Sequence, residues 1–453
     1  MIYLTDLISK WTNSLEWMML VMVIGGGLFL ISYAKFKPYF YFKHALQIVA
    51  GKFDKTEDVG QVSHFQALSA VIAATVGLGN ISGVAVAIYS GGPGVVFWMW
   101  VTAFIGMGIK FYSCTLAVLL REVDANGIVR AGPMYYMSKG LGKIGKPLAV
   151  FFASVTLLGV LPVFTANQLT QSLMEVLQPN TFWAIGDFNW KLLFGSLLIV
   201  ITATIIFGGL KKIVRVTSAL VPFMVVIYLL VALFILVTNG TKILPTFQLI
   251  FTEAFNWETS VIGGLSGLII IGMRRAVFSN ESGLGTAPIY HGQSKTNEPV
   301  QEGLVAMLGP FIDTIIVCTI TALLILISGV YLEGDKNGIV LTMAAFDQLL
   351  FGFGKPLLLI LVLVFALSTL FTYSFYGTQC LTFLGGIKIG KYYNPIYLLS
   401  IIFAAIASLE FVIGLIDLAF ALMSISNMIA LVLLAPKVKE ATYHYFKNQY
   451  GKS

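Results

Sequence analysis

Ala73-Ala74-Thr75-Val76-Gly77-Leu78-Gly79-Asn80 lies inside an apolar run from Ala67 to Tyr89 that is long enough to cross a bilayer. A helix in lipid must satisfy its own backbone, and Gly77 and Gly79 weaken a helix at its centre. Unwinding here frees amides at the start of the outer half-helix, which suit a carboxylate, and carbonyls, which suit a desolvated sodium ion. A zwitterion crosses lipid only when both of its charges meet partners. Glycine also lets membrane helices pack closely, so this stretch alone supports a packing contact as well as a functional break.

The rest of the chain belongs to the same solvent. Of 453 residues, 58% are hydrophobic and 11% charged, and the mean hydropathy is +0.88. A soluble domain of this length has no core large enough for so much apolar surface. The apolar residues form continuous runs instead of alternating, which predicts helices and not a barrel. Cys114, Cys318 and Cys380 sit far apart inside apolar runs and read as small apolar residues. The four histidines are scattered, with no His-Glu-x-x-His spacing, so metal-centred hydrolysis has no visible ligands.

Breaks at charged or Gly/Pro-rich segments give eleven spans. They run Trp17 to Tyr33, Ala67 to Tyr89, Val95 to Leu120, Leu148 to Leu177, Leu192 to Gly208 and Val216 to Val237. Then come Val261 to Met273 with flanks, Val305 to Val330, Leu357 to Leu384, Pro395 to Phe411 and Leu415 to Leu434. The first span lacks a basic leader and a small-residue cleavage site and is expected to be retained. Most of the 28 basic residues fall in alternate loops, from Lys35, Lys37, Lys43, Lys52 and Lys55 to the tail Lys437, Lys439, Lys447 and Lys452. The opposite loops hold Lys10, Lys191, Lys242, Lys336 and Lys355. The net charge of +7 therefore encodes topology and not nucleic-acid binding, and it predicts an outside N-terminus and a cytoplasmic C-terminus. The expected location is the cell membrane, multi-pass, or the inner membrane where the source has two.

Spans two to six and seven to eleven form two blocks of five after one extra helix. The expected divisions are 1–60 (first helix and basic linker), 61–240 and 241–436 (the two repeats), and 437–453 (a cytoplasmic tail). An odd block length makes equivalent helices run in opposite directions, an inverted repeat. Both blocks begin with glycine-rich spans: Gly77, Gly79 and Gly83 in one, Gly263, Gly264, Gly267 and Gly272 in the other. Matched interrupted spans are the best sequence pointer to a transporter's central site.

The run from Ala73 to Asn80, with Gly91-Gly92-Pro93-Gly94 and Phe97-Trp98-Met99-Trp100, resembles the alanine or glycine:cation symporter family, the sodium:alanine symporters. So do Gly132-Pro133-Met134-Tyr135-Tyr136, Phe278-Ser279-Asn280-Glu281-Ser282-Gly283-Leu284-Gly285, and Phe311-Ile312-Asp313-Thr314 with Cys318-Thr319 and Thr321-Ala322-Leu323. That family is similar to the LeuT-type transporters of the amino acid-polyamine-cation superfamily. The resemblance implies an all-α integral membrane protein with about 11 transmembrane helices, a five-plus-five inverted repeat following one extra helix. It implies sodium-coupled uptake of a small neutral amino acid such as alanine or glycine by alternating access, with sodium as coupling ion and not as a bound prosthetic group.

Residue by residue, the resemblance implies that the Leu78 and Gly79 amides hold the substrate carboxylate. One sodium would use the carbonyls of Ala73, Val76 and Phe365 and the hydroxyls of Ser368 and Thr369. Without the resemblance, those two hydroxyls read as back-bonded to the preceding helical turn. A second cation position could use Thr75, the Asn80 side-chain oxygen and Asp313. The pocket wall is expected at Thr75, Gly77, Thr165, Gln168, Gly267, Ile271 and Gly272. This chain departs from the family pattern there: Thr165-Ala166-Asn167 stands where Gln-Ala-Asn or similar is usual, Gln168 is added directly after it, and Ile271 stands where an aromatic is usual. After Lys110-Phe111 the usual acidic residue is missing, and Ala276 replaces the glycine after Arg275.

Ionisable groups inside spans need partners. Asp313 either ligates a cation or pairs with a base or hydroxyl. Lys110 is within snorkelling reach of the cytoplasmic surface, which gives it a packing or gating role. Arg275 and Glu281 bracket the inner end of the seventh span, as an inner gate or as solvated interfacial charges. Gly140-Leu141-Gly142-Lys143-Ile144-Gly145-Lys146-Pro147 begins like a phosphate-binding loop, but Pro147 replaces its Ser or Thr, so it reads as a turn. No catalytic constellation appears, so an enzyme is not expected. Among transporters, proton coupling through Asp313 is the alternative to sodium, and a channel is a more distant one. The expected partners are a small neutral amino acid and membrane lipid, with no nucleic acid and no obligate protein partner.

Overall fold

The computed structural model describes residues 15, 17–55, 57–124, 127–177, 186–256 and 264–450. The first expected span is helix α1 (Trp17–Tyr33). Left-handed backbone at Lys35 and Phe36, φ 52° and 55°, then turns the chain into α2 (Lys37–Phe40) and α3 (Phe42–Val49). α4 (His64–Thr75) starts on a capping box, in which Ser63 Oγ accepts from the Gln66 amide and the Gln66 side chain accepts from the Ser63 amide. It ends at the quoted glycine stretch, and α5 (Gly79–Gly91) leaves at 49° to it. The second expected span is thus one broken helix.

α6 (Val95–Leu119) runs unbroken into a two-stranded hairpin, Glu122–Val123 against Val129–Arg130, and α7 (Pro133–Gly140). The fourth span is α8 (Gly145–Gly159) and α9 (Val163–Leu177), parted at Pro162, whose ring cannot donate to the helix ladder. α10 (Asp187–Ile206) and α11 (Gly209–Thr238) leave Val200, Leu230, Phe234 and Val237 exposed, as helices against lipid do. α12 (Gly240–Glu253) was not expected, because Lys242, Pro245 and Gln248 interrupt its apolar character.

α13 (Gly264–Asn280) and α14 (Ala287–His291) follow, then α15 (Pro299–Ser328). α16 (Gly338–Leu349) is a second helix the apolar runs do not reveal. α17 (Gly354–Gly385), α18 (Tyr393–Ile406) and α19 (Leu409–Tyr450) complete the chain. α19 continues well past the expected end at Leu434, through Tyr450. Among the described residues, eight helices are long and apolar enough to cross a membrane, nine if the bent pair is one span. Each of the eleven expected runs overlaps a helix among the described residues, the second and fourth as broken pairs.

The seventh span corrects the glycine reading. Gly264 through Asn280 is continuous helix, and Val261 and Gly263 lie outside the described residues. A Cβ on Gly272 would stand 2.6 Å from the Trp98 Cβ, so this glycine serves close packing on α6. The break falls later, where Glu281, Gly283 and Gly285 take φ of 55°, 88° and 88°.

One face of the bundle ties four helix ends together. Val62 and Ser294 form a parallel bridge, the Gln61 amide donates to Gln293 O at 2.7 Å, and the Lys295 amide donates to Val62 O at 2.8 Å. Arg121, just past α6, donates to the carbonyls of Gly292, Ser294, Val59 and Thr296. Fully buried Glu302 on α15 joins His64 of α4 to His291 of α14.

Candidate functional site

The break between α4 and α5 forms where other parts of the protein come close to its backbone. A Cβ on Gly77 would lie 2.5 Å from Thr369 Oγ1, and one on Gly79 would lie 3.4 Å from Ser279 Cα. Gly77 therefore has no room for a side chain, whereas Gly79 is in ordinary contact with its neighbour. Asn80 Oδ1 accepts from the Gly77 amide at 2.9 Å. Leu78 and Gly79 open the second half-helix, which has no side-chain cap among the described residues, so their amides are presented at a positive helix end.

These amides border a small cavity of about 20 Å³. Ala74, Thr75, Gly77, Leu78 and Gly79 form one wall; Phe164 and Thr165 of α9, Phe278 of α13, and Thr369 and Tyr373 of α17 form the others. That is room for about one water, so the space at the break is nearly closed in this conformation. Phe164 and Phe278 meet edge to face with centroids 4.7 Å apart, and Phe278 leans on Phe420 at 5.8 Å. Beyond this aromatic wall, Arg275 donates to Asp417 Oδ2 at 2.7 Å, with both side chains 4% exposed. The Arg275 guanidinium also stands over the Phe278 ring at 5.5 Å.

On the α17 side, Ser368 Oγ reaches Ala73 O at 3.2 Å and Phe365 O at 2.8 Å. Thr369 Oγ1 reaches Ala73 O at 3.0 Å and Phe365 O at 3.2 Å. Ala73, Val76, Phe365, Ser368 and Thr369 are all buried. Two hydroxyls and two carbonyls from different helices thus converge where α4 unwinds. Their hard oxygens suit sodium, and both helical back-bonding and bonding across to α4 take place here.

A second polar cluster lies at the other side of the break. Asn80 Nδ2 donates to Asp313 Oδ1 at 2.7 Å and to Asp313 O at 3.0 Å. Ser279 Oγ and Thr314 Oγ1 each donate to Asp313 Oδ2 at 2.7 Å. Asp313 sits in a stretch of α15 wound as π-helix, Phe311–Cys318, a local distortion that favours functional placement of side chains. Asn80 and Asp313 are both fully buried. Thr75 lines the cavity beside them, its hydroxyl donating to Val71 O at 3.0 Å.

Several expected wall and gate residues lie elsewhere. Gln168 turns away from the cavity: its Oε1 accepts from Ser82 Oγ at 2.5 Å and from the Ile339 amide at 3.1 Å, tying α9 to α5 and α16. Gly267, Ile271 and Gly272 lie on α13 before the cavity-lining Phe278, and Ile271 Cδ1 would be 3.4 Å from a Cβ on Gly91. Arg275 and Glu281 do not pair. Arg275 holds Asp417, whereas Glu281 accepts from Thr286 and from Tyr373, the latter at 2.5 Å. Lys110 does not snorkel: it is 1% exposed, its Nζ has no hydrogen-bond partner among the described residues, and it packs 3.3 Å from a Cβ position on Gly309. The helix continues on both sides of it, which keeps the ammonium in the interior.

Phe164, Phe278 and Tyr373 are the wall residues that sequence reasoning missed. A signal for the second break was present. Gly283-Leu284-Gly285 repeats Gly77-Leu78-Gly79, and each triplet marks the break in its helix pair.

Comparisons with known proteins follow the same lines. A model described as the sodium:alanine symporter family matches residues 1–453. The chain is 40% identical over 440 residues to the sodium/alanine symporter AgcS of Methanococcus maripaludis, covering 95% of each. It is 34% identical to the probable sodium/glutamine symporter GlnT of Bacillus subtilis, covering 96% of this chain and 90% of that one. Among solved structures, MhsT in complex with L-phenylalanine shares the fold at TM-score 0.56 and 16% identity, over 85% of this chain and 99% of that one.

Proposed function

The chain belongs to the sodium:alanine symporter family, and on that premise we propose that it couples sodium entry to the uptake of a small neutral amino acid such as alanine or glycine. The observation that carries this reading is the meeting of Ser368 and Thr369 with the Ala73 carbonyl beside a small cavity bordered by the Leu78 and Gly79 amides. In this reading the amides take the substrate carboxylate, and Thr75 and Tyr373 face its polar side. Sodium enters between the carbonyls of Ala73, Val76 and Phe365 and the hydroxyls of Ser368 and Thr369. A cation in that position lowers the energy of the carboxylate beside it, so each ligand raises the other's affinity.

The Asn80–Asp313 cluster is the place for a second cation, with Asp313 supplying the charge. A buried carboxylate bonded by three donors also suits a proton carrier, which makes proton coupling the second reading. Arg275–Asp417, with Phe278 beneath it, acts as a gate on the outer side when the basic loops are cytoplasmic. Breaking that pair opens one face of the cavity, and separating α4 from α17 opens the other. The two Gly-Leu-Gly breaks would then be the equivalent halves of an inverted repeat.

Purified protein in proteoliposomes, offered radiolabelled alanine, glycine, serine or proline, tests the proposal. Accumulation driven by an inward sodium gradient is expected. Accumulation driven by a proton gradient alone would favour the second reading, and uptake indifferent to both gradients would reject symport.

A further inference from the structure

A cavity of about 430 Å³, apart from the central one, lies where α1, α6 and the last turns of α19 come together. Tyr33, Lys35, Lys37, Tyr112, Lys439 and Tyr443 line it, and no Asp or Glu does. Among the described residues none of the three lysines has an ion-pair partner. Two are laid on rings instead: Lys439 Nζ stands 4.3 Å over Tyr33, and Lys37 Nζ stands 5.1 Å over Phe446. Tyr112 is 1% exposed, and its buried hydroxyl has no hydrogen-bond partner among the described residues. Such a group gains a bond where a ligand supplies an acceptor.

Three uncompensated ammonium groups and an unused hydroxyl donor around one space call for an anion with several oxygens, of which phosphate is the fitting kind. The backbone supports the arrangement. Lys35 and Phe36 are held left-handed, φ 52° and 55°, a conformation that bulky residues adopt only under constraint. An apolar cavity of about 480 Å³ lies on the same connection, lined by Tyr39, Phe42, Phe104, Met107, Phe311 and Ile315. A soluble phosphate has no use for such a slot, but the chain of a lipid does.

We propose that this is a binding site for an anionic phospholipid, with its headgroup phosphate on Lys35, Lys37, Lys439 and Tyr112 and an acyl chain along Phe42 and Phe104. Bound there, the lipid joins the end of α1 to the last turns of α19. Each lysine near an anionic headgroup contributes about 1 kcal/mol, a factor of about five in affinity.

Native mass spectrometry on the delipidated full-length protein tests this, with titrations of phosphatidylglycerol, phosphatidylcholine and inorganic phosphate. Phosphatidylglycerol is expected to fill a saturable site, with Lys35→Gln weakening it by about fivefold and the Lys35→Gln/Lys37→Gln/Lys439→Gln variant by about a hundredfold. Tyr112→Phe should weaken it without altering the protein's thermal midpoint. Should the triple variant fold poorly, the exposed Lys35→Gln change decides alone. Equal binding of phosphatidylcholine, unchanged affinity in Lys35→Gln, or inorganic phosphate binding as tightly as the lipid would each overturn the assignment.

Discussion

Arg275 of α13 and Asp417 of α19 form a buried ion pair at 2.7 Å, directly beyond the phenylalanine wall of the central cavity. Arg274 reaches the same carboxylate at 3.5 Å. Removing one partner of such a pair strands a buried charge and costs about 3–5 kcal/mol. Asp417→Asn should therefore cut the initial rate of sodium-driven alanine uptake by more than about tenfold. The exchanged pair Arg275→Asp/Asp417→Arg should recover part of it. Wild-type rates in Asp417→Asn proteoliposomes would remove the pair from any gating role.

Ser368 and Thr369 both address the Ala73 carbonyl. An oxygen ligand to a charged group is worth about 1.5–3 kcal/mol, so Thr369→Ala should raise the sodium concentration for half-maximal uptake by at least about tenfold. Ser368→Ala should do the same. If either variant showed an unchanged sodium requirement with a raised alanine requirement, that hydroxyl would belong to the substrate and not to the ion.

Asp313→Asn removes the charge and leaves one side-chain acceptor in place of two, so either Asn80 or the two hydroxyls meet an amide NH2. With a second cation there, the steepness of uptake against sodium concentration falls toward that of a single site. With a proton there instead, the steepness is retained and proton-driven uptake is lost. Sodium titrations at two pH values separate these outcomes.

Phe164 and Phe278 set the width of the cavity through their edge-to-face contact. Phe164→Ala should admit larger neutral side chains, improving competition by leucine against alanine by about tenfold. Competition assays on whole cells are sufficient. No change in the leucine-to-alanine ratio would mean that another wall sets substrate size.

A methyl group on Gly77 would meet Thr369 Oγ1 at 2.5 Å. Gly77→Ala should lower stability by about 1–3 kcal/mol and blunt the rise in thermal midpoint that sodium gives the wild type. Thermal melts with sodium and with potassium measure both effects.

The runs of apolar residues carried most of the helices, because lipid demands long uninterrupted stretches and punishes charge. α12 and α16 escaped that reading because polar residues dilute them. The first break was legible in Gly77 and Gly79. The second was misplaced, because Gly267 and Gly272 look identical in sequence to glycines of a break although Gly272 is where Trp98 presses in. Only the local partner decides which use a glycine has, and that partner is distant in the chain. Gly283-Leu284-Gly285 matched the first triplet in plain letters, and a search for internal repeats at the three-residue scale would have found it. Gln168 and Arg275 show the same limit for side chains: one turn of helix separates a residue that faces the cavity from one that braces its walls, and polarity does not encode that angle.

Arg121 grips four backbone carbonyls contributed by residues 59, 292, 294 and 296. Charge-assisted bonds of this type are worth about 1.5–3 kcal/mol each, so peeling α4 away from α14 alone would forfeit the Val59 bond together with the Val62–Ser294 bridge. The less demanding motion carries the start of α4, the end of α6, α14 and the start of α15 as one block. The pivot for exposing the ion site must then lie on the α17 side, at the seam where Thr369 touches Gly77.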